Sequence, residues 1–286
     1  MPGAEPTLSV VVTTYQWPAA IRAVLAGLSR QTDRDFETVV ADDGSAPETA
    51  AVLREQAPSL AGGLIHVWHP DRGFRAGPIR NRGVAAARGE YLVFLDGDSL
   101  PRPGFVATHR GAARRGWAIR GRRALLSEGL SRRVLSGEVD PASANFGALL
   151  GWRRSGDLNR IMPFVPAPPI PPIRRLLGLG LHWKHARTVN LAAWRDDLVR
   201  VNGFDERFTG WGFEDSDLAI RLGHAGVRLA ALPGAGTVLH LHHREADRSF
   251  SGENRDRLRA IERSTAIRAE LGLDRLDPEV RVERLS

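Results

Sequence analysis

Continuous apolar, β-branched runs mark buried strands along the first half of the chain. Leu8 to Thr13 (LSVVVT) has the composition of a strand covered on both faces. Pro18 then suits the first turn of a helix, and Ile21, Val24, Leu25 and Leu28 recur at the spacing of one buried face. Phe36 to Ala41 (FETVVA) reads as a second strand. Ser45 and Glu48 stand at capping-box spacing, and Pro47 suits the opening turn of the helix they would start. Leu64 to Trp68, Pro78 to Arg88 and Tyr91 to Leu95 (YLVFL) continue as strand, helix and strand. This alternation predicts an α/β fold, a parallel sheet with helices on both faces, and excludes an all-α or all-β chain.

The second half is less regular. Trp117 to Arg123 is strand-like, and Thr188 to Trp194 more clearly so. Between them Met162 to Ile173 (MPFVPAPPIPPI) has too many prolines for a helix or a central strand, so it reads as a linker or a long loop at the rim of a site. Asp217 to His224 predicts a helix with Gly226 as its stop. Val227 to Leu232 and Thr237 to Leu241 predict short strands, and Asn254 to Leu271 a charged amphipathic helix. No internal repeat is present.

The 286 residues, 42% hydrophobic, suffice for one large domain with its own core. No apolar run reaches the roughly 18 residues of a membrane-spanning helix. The N-terminal Met1-Pro2-Gly3-Ala4-Glu5-Pro6 lacks a signal-peptide layout. The absence of cysteine removes disulfides, thiolate metal sites and a Cys nucleophile, and fits a cytoplasmic protein. Forty basic against thirty-three acidic residues give a net charge of +7, and Lys184 is the sole lysine. Such a surface favours anionic partners, whether nucleotide diphosphate, nucleic acid or acidic membrane.

Ligands of open parallel sheets bind at the carboxyl ends of the strands. There the chain places Thr13-Thr14-Tyr15, Asp42-Asp43-Gly44-Ser45 and Asp96-Gly97-Asp98. Two carboxylates one residue apart can hold a hard divalent cation, Mn²⁺ or Mg²⁺, with the glycine letting a diphosphate approach. The same Asp-Gly pairs also suit simple turns. In Gly210-Trp211-Gly212-Phe213-Glu214-Asp215-Ser216-Asp217, glycines flank an indole on which a flat ligand can lie, and the carboxylates opening a helix include a candidate general base. Complementing the helix dipole is the plainer use of those acids. On a strand His240 and His242 of His240-Leu241-His242-His243 share a face, where imidazole can complete coordination begun by Asp98; a His-only zinc site is the competing use.

The ordered set of clusters resembles the family 2 glycosyltransferases of the GT-A fold, in the branch with a galactosyltransferase-type C-terminal motif. It is carried by Ser9 to Tyr15, Val40 to Ser45, Arg80-Asn81-Arg82-Gly83, Phe94 to Asp98, Val201-Asn202-Gly203-Phe204-Asp205-Glu206 and Gly210 to Asp215. The resemblance runs from about Leu8 to His243 and implies a Rossmann-like, mostly parallel central sheet. It implies a GT-A domain over residues 1–250: a nucleotide-binding half (1–100), then an acceptor and catalytic half (101–250) that includes the Pro-rich loop 163–172. A helix and tail follow over 251–286. It further implies that Thr13, Tyr15 and Asp43, or Asp42, hold a uridine, with Arg80 and a less direct Arg75 near the nucleotide. Asp96 would meet ribose or metal-bound water. Asp98 would bind Mn²⁺ or Mg²⁺ with a C-terminal histidine, His240 before His242, while His243 also competes. Trp211 and Glu214 would line the sugar and acceptor pocket, and Asp215 would be the catalytic base.

The implied reaction is inverting transfer from a nucleotide sugar, a UDP-sugar first, to a glycan, lipid-linked or small-molecule acceptor. A sugar nucleotidyltransferase would need a glycine-rich basic loop near the first strand, which Thr13 to Trp17 does not offer. A nucleic-acid binder would cluster its arginines with stacking aromatics; here they are dispersed, so no nucleic-acid partner is expected. A non-catalytic nucleotide-sugar binder stays open. The basic and apolar stretch Arg174 to Lys184 offers peripheral contact with the inner face of a membrane, or a loop over the acceptor cleft.

Overall fold

The computed structural model describes residues 7–165, 181–244, 251–275 and 278–286. Its main sheet has eight strands in the order β11-β3-β2-β1-β4-β8-β6-β9. Four of them, β1 (Leu8–Thr14), β2 (Phe36–Asp42), β3 (Leu64–Trp68) and β4 (Tyr91–Asp96), are mutually parallel. The strand β8 (Asn190–Trp194) runs antiparallel between β4 and β6 (Trp117–Arg120), and β6 pairs in parallel with β9 (Arg228–Ala231). At the far edge β11 (Arg281–Arg284) returns antiparallel to β3. The sheet is thus mostly parallel, as the apolar runs require: seven of seven residues in β2 are buried.

Alternate residues of each strand feed two cores. On one face Val10, Val12 and Val40 meet α1 (Pro18–Ser29), α2 (Pro47–Gln56), α4 (Phe105–Ala112) and α5 (Glu128–Leu135). On the other, Val11, Val39, Ala41 and Ile65 meet α3 (Ala76–Ala86), α7 (Arg195–Arg200) and α8 (Glu214–His224). A sixth helix, α6 (Phe146–Ser155), lies between α5 and β8 in the chain, and α9 (Ser251–Glu262) packs on α8. Among the described residues no helix is long and apolar enough to cross a membrane.

Several sequence expectations move. The helix read as Pro78 to Arg88 starts earlier, at Ala76. The helix at Asp217 starts at Glu214, and the last charged helix ends at Glu262 rather than Leu271. Pro47 does open α2, but Ser45 does not cap it: Ala46 occupies the cap, and the Ser45 hydroxyl accepts the Gln16 backbone N–H at 2.8 Å. Of the Pro-rich segment, Met162–Phe164 forms a 3₁₀ turn with Pro163 and Phe164 buried. Residues 166–180, including Arg174 to Gly180 of the suggested membrane stretch, lie outside the described residues.

A small second sheet, in the order β5-β10-β7, sets the site. It joins β5 (Ser99–Leu100), directly after β4, to β10 (Val238–His240) and β7 (Arg123–Leu125). Its register places His240 opposite Ser99. A residue from the C-terminal half of the chain is thereby locked beside the carboxyl edge of β4.

Candidate active site

The Leu241 N–H donates to the Asp98 carbonyl at 2.9 Å, which holds the histidine segment against the acidic turn. His240 Nδ1 stands 3.0 Å from Asp98 Oδ1, and the Ser99 hydroxyl lies within hydrogen-bond reach of both. His243 Nε2 lies 3.4 Å from Asp98 Oδ2 and 3.2 Å from His240 Nε2. Donor atoms of Asp98, His240 and His243 therefore all fall within 4.8 Å of one another. Facing lone pairs of this kind call for a shared proton or cation. Burial opposes ionisation of Asp98, but hydrogen bonding and charge from His240, with His243, outweigh it and hold the carboxyl low. One carboxylate with two imidazoles suits Mn²⁺ better than Mg²⁺, which prefers oxygen ligands.

The pairing of His240 with His242 is corrected by the strand's length. Because β10 ends at His240, two-residue alternation does not continue, and His243 is the residue that comes back to Asp98. His242 is exposed; its backbone N–H donates to Ser131 Oγ at 2.8 Å, and it stands outside the cluster. Gly97 is also explained differently. A Cβ there would lie 2.8 Å from the Thr13 carbonyl and 3.1 Å from the Thr14 side chain, so it is β1 that needs the glycine.

Arg80, expected near the nucleotide, is a buried junction. Its Nε donates to Thr13 Oγ1 at 3.1 Å, one terminal nitrogen to Glu214 Oε1 at 2.9 Å, and the other to Asp96 Oδ1 at 3.1 Å. One guanidinium from α3 so ties the ends of β1 and β4 to the start of α8. Its side chain is 6% exposed, leaving its fork turned inward. Glu214 is correspondingly committed to Arg80. Burial pushes the Asp96 carboxyl up, although Arg80 counters it.

At the ends of β2 and β3 the acids are equally engaged. Asp42 accepts the Ser45 N–H at 2.8 Å, which closes the turn, and meets His66 Nε2 at 3.0 Å with 1% of its surface exposed. Asp43 meets His69 Nε2 at 2.6 Å and accepts the Arg75 N–H at 2.8 Å. Arg75 also donates to the Pro70 carbonyl, so its expected help is given to the loop. Tyr15 keeps an exposed ring while its hydroxyl donates to Asp71 Oδ2 at 2.9 Å. His69 and Asp71 belong to no motif of the sequence, but both follow the carboxyl end of β3, where ligands of such sheets bind.

The Gly-Trp-Gly loop enters α8 through left-handed backbone at Gly210, Gly212 and Phe213. A Cβ on Gly212 would meet nothing within 4 Å, so its positive φ is what calls for glycine. Asn254 from α9 pins the loop by donating to the Thr209 and Gly212 carbonyls at 2.9 and 3.1 Å. Trp211 is exposed beside it. Of the three acids in the first turn, Asp217 is consumed by a buried pair with Arg221, and Glu214 by Arg80. Asp215 is different. Burial pushes its carboxyl up to about 6, Glu214 adds to the rise, and Arg187 and Arg80 oppose it. A carboxyl tuned toward neutrality is the chemistry of a proton acceptor. Arg187, whose Nε is 3.9 Å from Asp215 Oδ2, carries no motif that singles it out in the sequence.

A mostly parallel sheet with this loaded carboxyl edge is a GT-A fold, and solved structures agree. The chain superposes on a mannosyltransferase from Pyrobaculum calidifontis, solved with GDP-Man and Mn²⁺, with TM-score 0.55 and 22% identity over 93% of this chain and 67% of that one. It also superposes on TarS (1–349) from S. aureus with TM-score 0.59 and 15% identity, over 93% of this chain and 67% of that one. Residues 9–124 match the family model described as glycosyl transferase family 2, and residues 174–244 match the N-terminal domain of galactosyltransferase. The chain therefore carries a segment that matches the family 2 glycosyltransferases over residues 9–124, followed by a galactosyltransferase-type segment in its C-terminal half. Validoxylamine A glucosyltransferase of Streptomyces hygroscopicus subsp. jinggangensis is 32% identical over 264 residues, 88% of this chain and 60% of the relative. Chondroitin synthase of Escherichia coli is 30% identical over 241 residues, 80% of this chain and 34% of the relative. The chain thus spans about 60% of the first relative and about a third of the second.

Proposed function

We propose that the protein is a metal-dependent, inverting glycosyltransferase that moves a sugar from a nucleotide donor to an acceptor hydroxyl. The observation that carries this reading is the convergence of Asp98, His240 and His243 just past β4, whose end Arg80 ties to the first turn of α8, where Asp215 sits. A divalent cation held by those three residues would supply the charge that neutralises a departing diphosphate. Asp215 takes the acceptor hydroxyl's proton as that oxygen forms its bond to the anomeric carbon. The bond from that carbon to the diphosphate oxygen breaks on the opposite face, which inverts the configuration. Glu214 and Arg80 hold the first turn of α8 in register with β1 and β4. Tyr15 and Trp211 offer exposed rings for the base and for the sugar or acceptor.

A UDP-sugar is the first candidate donor, and a GDP-sugar the second, because a structural neighbour was solved with GDP-Man. The names of the relatives favour a small-molecule or glycan acceptor. On this reading residues 1–250 form the transferase domain of a cytoplasmic enzyme. A thermal-shift series with UDP, GDP, CDP and ADP, each with Mn²⁺ or EDTA, tests it. A nucleotide at about 100 times its Kd adds roughly 2.7 kcal/mol to stability. Stabilisation by UDP that disappears in EDTA is expected. Indifference to all four nucleotides would overturn the donor and metal assignments together.

A further inference from the structure

We propose that Arg187 is a positioning residue for the general base, holding Asp215 ionised and in one orientation through a direct ion pair and through the Ser216 hydroxyl. The inference rests on Asp215 being that base. Arg187 lies in the loop leading into β8, and Asp215 in the first turn of α8, so two separate elements converge on one carboxylate. The guanidinium Nε is 3.9 Å from Asp215 Oδ2. One terminal nitrogen donates to Ser216 Oγ at 3.2 Å, and that hydroxyl donates to Asp215 Oδ1 at 3.3 Å. Both carboxylate oxygens are therefore tied to the same arginine, one through space and one through a hydroxyl.

The charged groups bearing on Asp215 are Glu214 on its own helix, Arg80 from α3 and Arg187 from the loop before β8. Glu214 opposes ionisation. Arg80 favours it, but its fork is occupied by Thr13, Glu214 and Asp96. Among the described residues Arg187 donates only to the Ala186 carbonyl and Ser216 besides its pair with Asp215, and its side chain is 53% exposed against 13% for Asp215. It can follow the carboxylate as a proton arrives and leaves, which the buried Arg80 cannot. An opposite charge at this distance lowers a carboxyl pKa by about one unit when solvent screens the pair.

The test is a ¹³C NMR titration of the Asp side-chain carboxyl carbons in the full chain, with the Asp215 resonance assigned by its loss in Asp215→Asn. The wild-type midpoint is expected near pH 6. Arg187→Gln should raise it by about one unit, and Arg187→Lys, which keeps the charge, should restore at least half of that shift. An unmoved midpoint in Arg187→Gln overturns the proposal, as does Arg187→Lys behaving like the glutamine variant. If Arg187→Gln fails to fold, the lysine variant decides: a midpoint within half a unit of wild type supports the role of charge, and a full-unit rise refutes it. The base reading is tested separately. Near-full sugar transfer by Asp215→Asn, using whichever UDP- or GDP-sugar stabilises the protein, would sink that reading whatever the titration showed.

Discussion

Asp215 is costly to the fold in the form that the proposed chemistry needs. Its carboxyl is pushed up to about 6, mainly by burial, while an unfolded chain ionises near 4. A group whose pKa is raised on folding contributes stability that is complete below the unfolded value and is lost as pH rises through the folded one. The two-unit gap is worth about 3 kcal/mol between pH 4 and pH 8, an upper figure because Arg187 can readjust. Asn in the same place accepts the Ser216 hydroxyl without carrying a charge. Asp215→Asn should therefore be more stable than wild type by about 1–3 kcal/mol at pH 8, with the gain shrinking below pH 6 and vanishing near pH 4. Urea denaturation at half-unit pH intervals measures this directly, because the midpoint shifts at constant slope when only stability changes. A variant less stable than wild type at pH 8, or a difference that does not vary with pH, would refute the account of a carboxylate strained by burial. The same residue should lose transfer activity, so stability and turnover should move in opposite directions.

Three further outcomes follow from distances in the site. Arg80→Met should cost roughly 3–5 kcal/mol in urea denaturation, since it strands Asp96 and Glu214 without their buried counter-charge; a loss below about 1 kcal/mol would contradict the junction role. His243→Ala should weaken Mn²⁺ binding, read by calorimetry or electron paramagnetic resonance, at least tenfold, whereas His242→Ala should leave it within a factor of two; equal effects would restore His242 to the cluster. Gly97→Ala should destabilise by about 1–3 kcal/mol through the close approach of Thr13 and should do so equally with and without nucleotide, a comparison that thermal melting makes.

The first third of the chain was legible because its strands are buried on both faces, and a continuous β-branched run such as LSVVVT has few other uses. Helices between 105 and 155 were not read, although Ser127 and Asn145 cap two of them by accepting the Leu130 and Ala148 N–H groups. Dense arginine around them blurs the apolar period. The strand β11 carries no burial pattern, all four residues being exposed, so its pairing with β3 rests on backbone hydrogen bonds that sequence does not display. In the site, the strand-end rule points to Asp96, which the structure sets opposite Thr13, and to Asp98 two residues on. It does not show that Asp42 faces His66, because a carboxylate ending a strand can turn inward to a histidine on the neighbouring strand as readily as outward.

The histidines show where such reading ends in physical terms. Which imidazole meets Asp98 depends on whether β10 stops at residue 240 or 242, a difference of one ladder step. There β10 lies between β5, two residues long, and β7, with His240 opposite Ser99 on one side and Leu125 on the other. The Leu241 N–H donates to the Asp98 carbonyl as the last bond of that antiparallel ladder, and the chain then leaves the sheet. That one backbone bond begins the bend that returns His243 to the carboxylate and turns His242 to solvent. The proposed metal ligands thus depend on where β10 ends, a tertiary fact with no local signature in His240-Leu241-His242-His243.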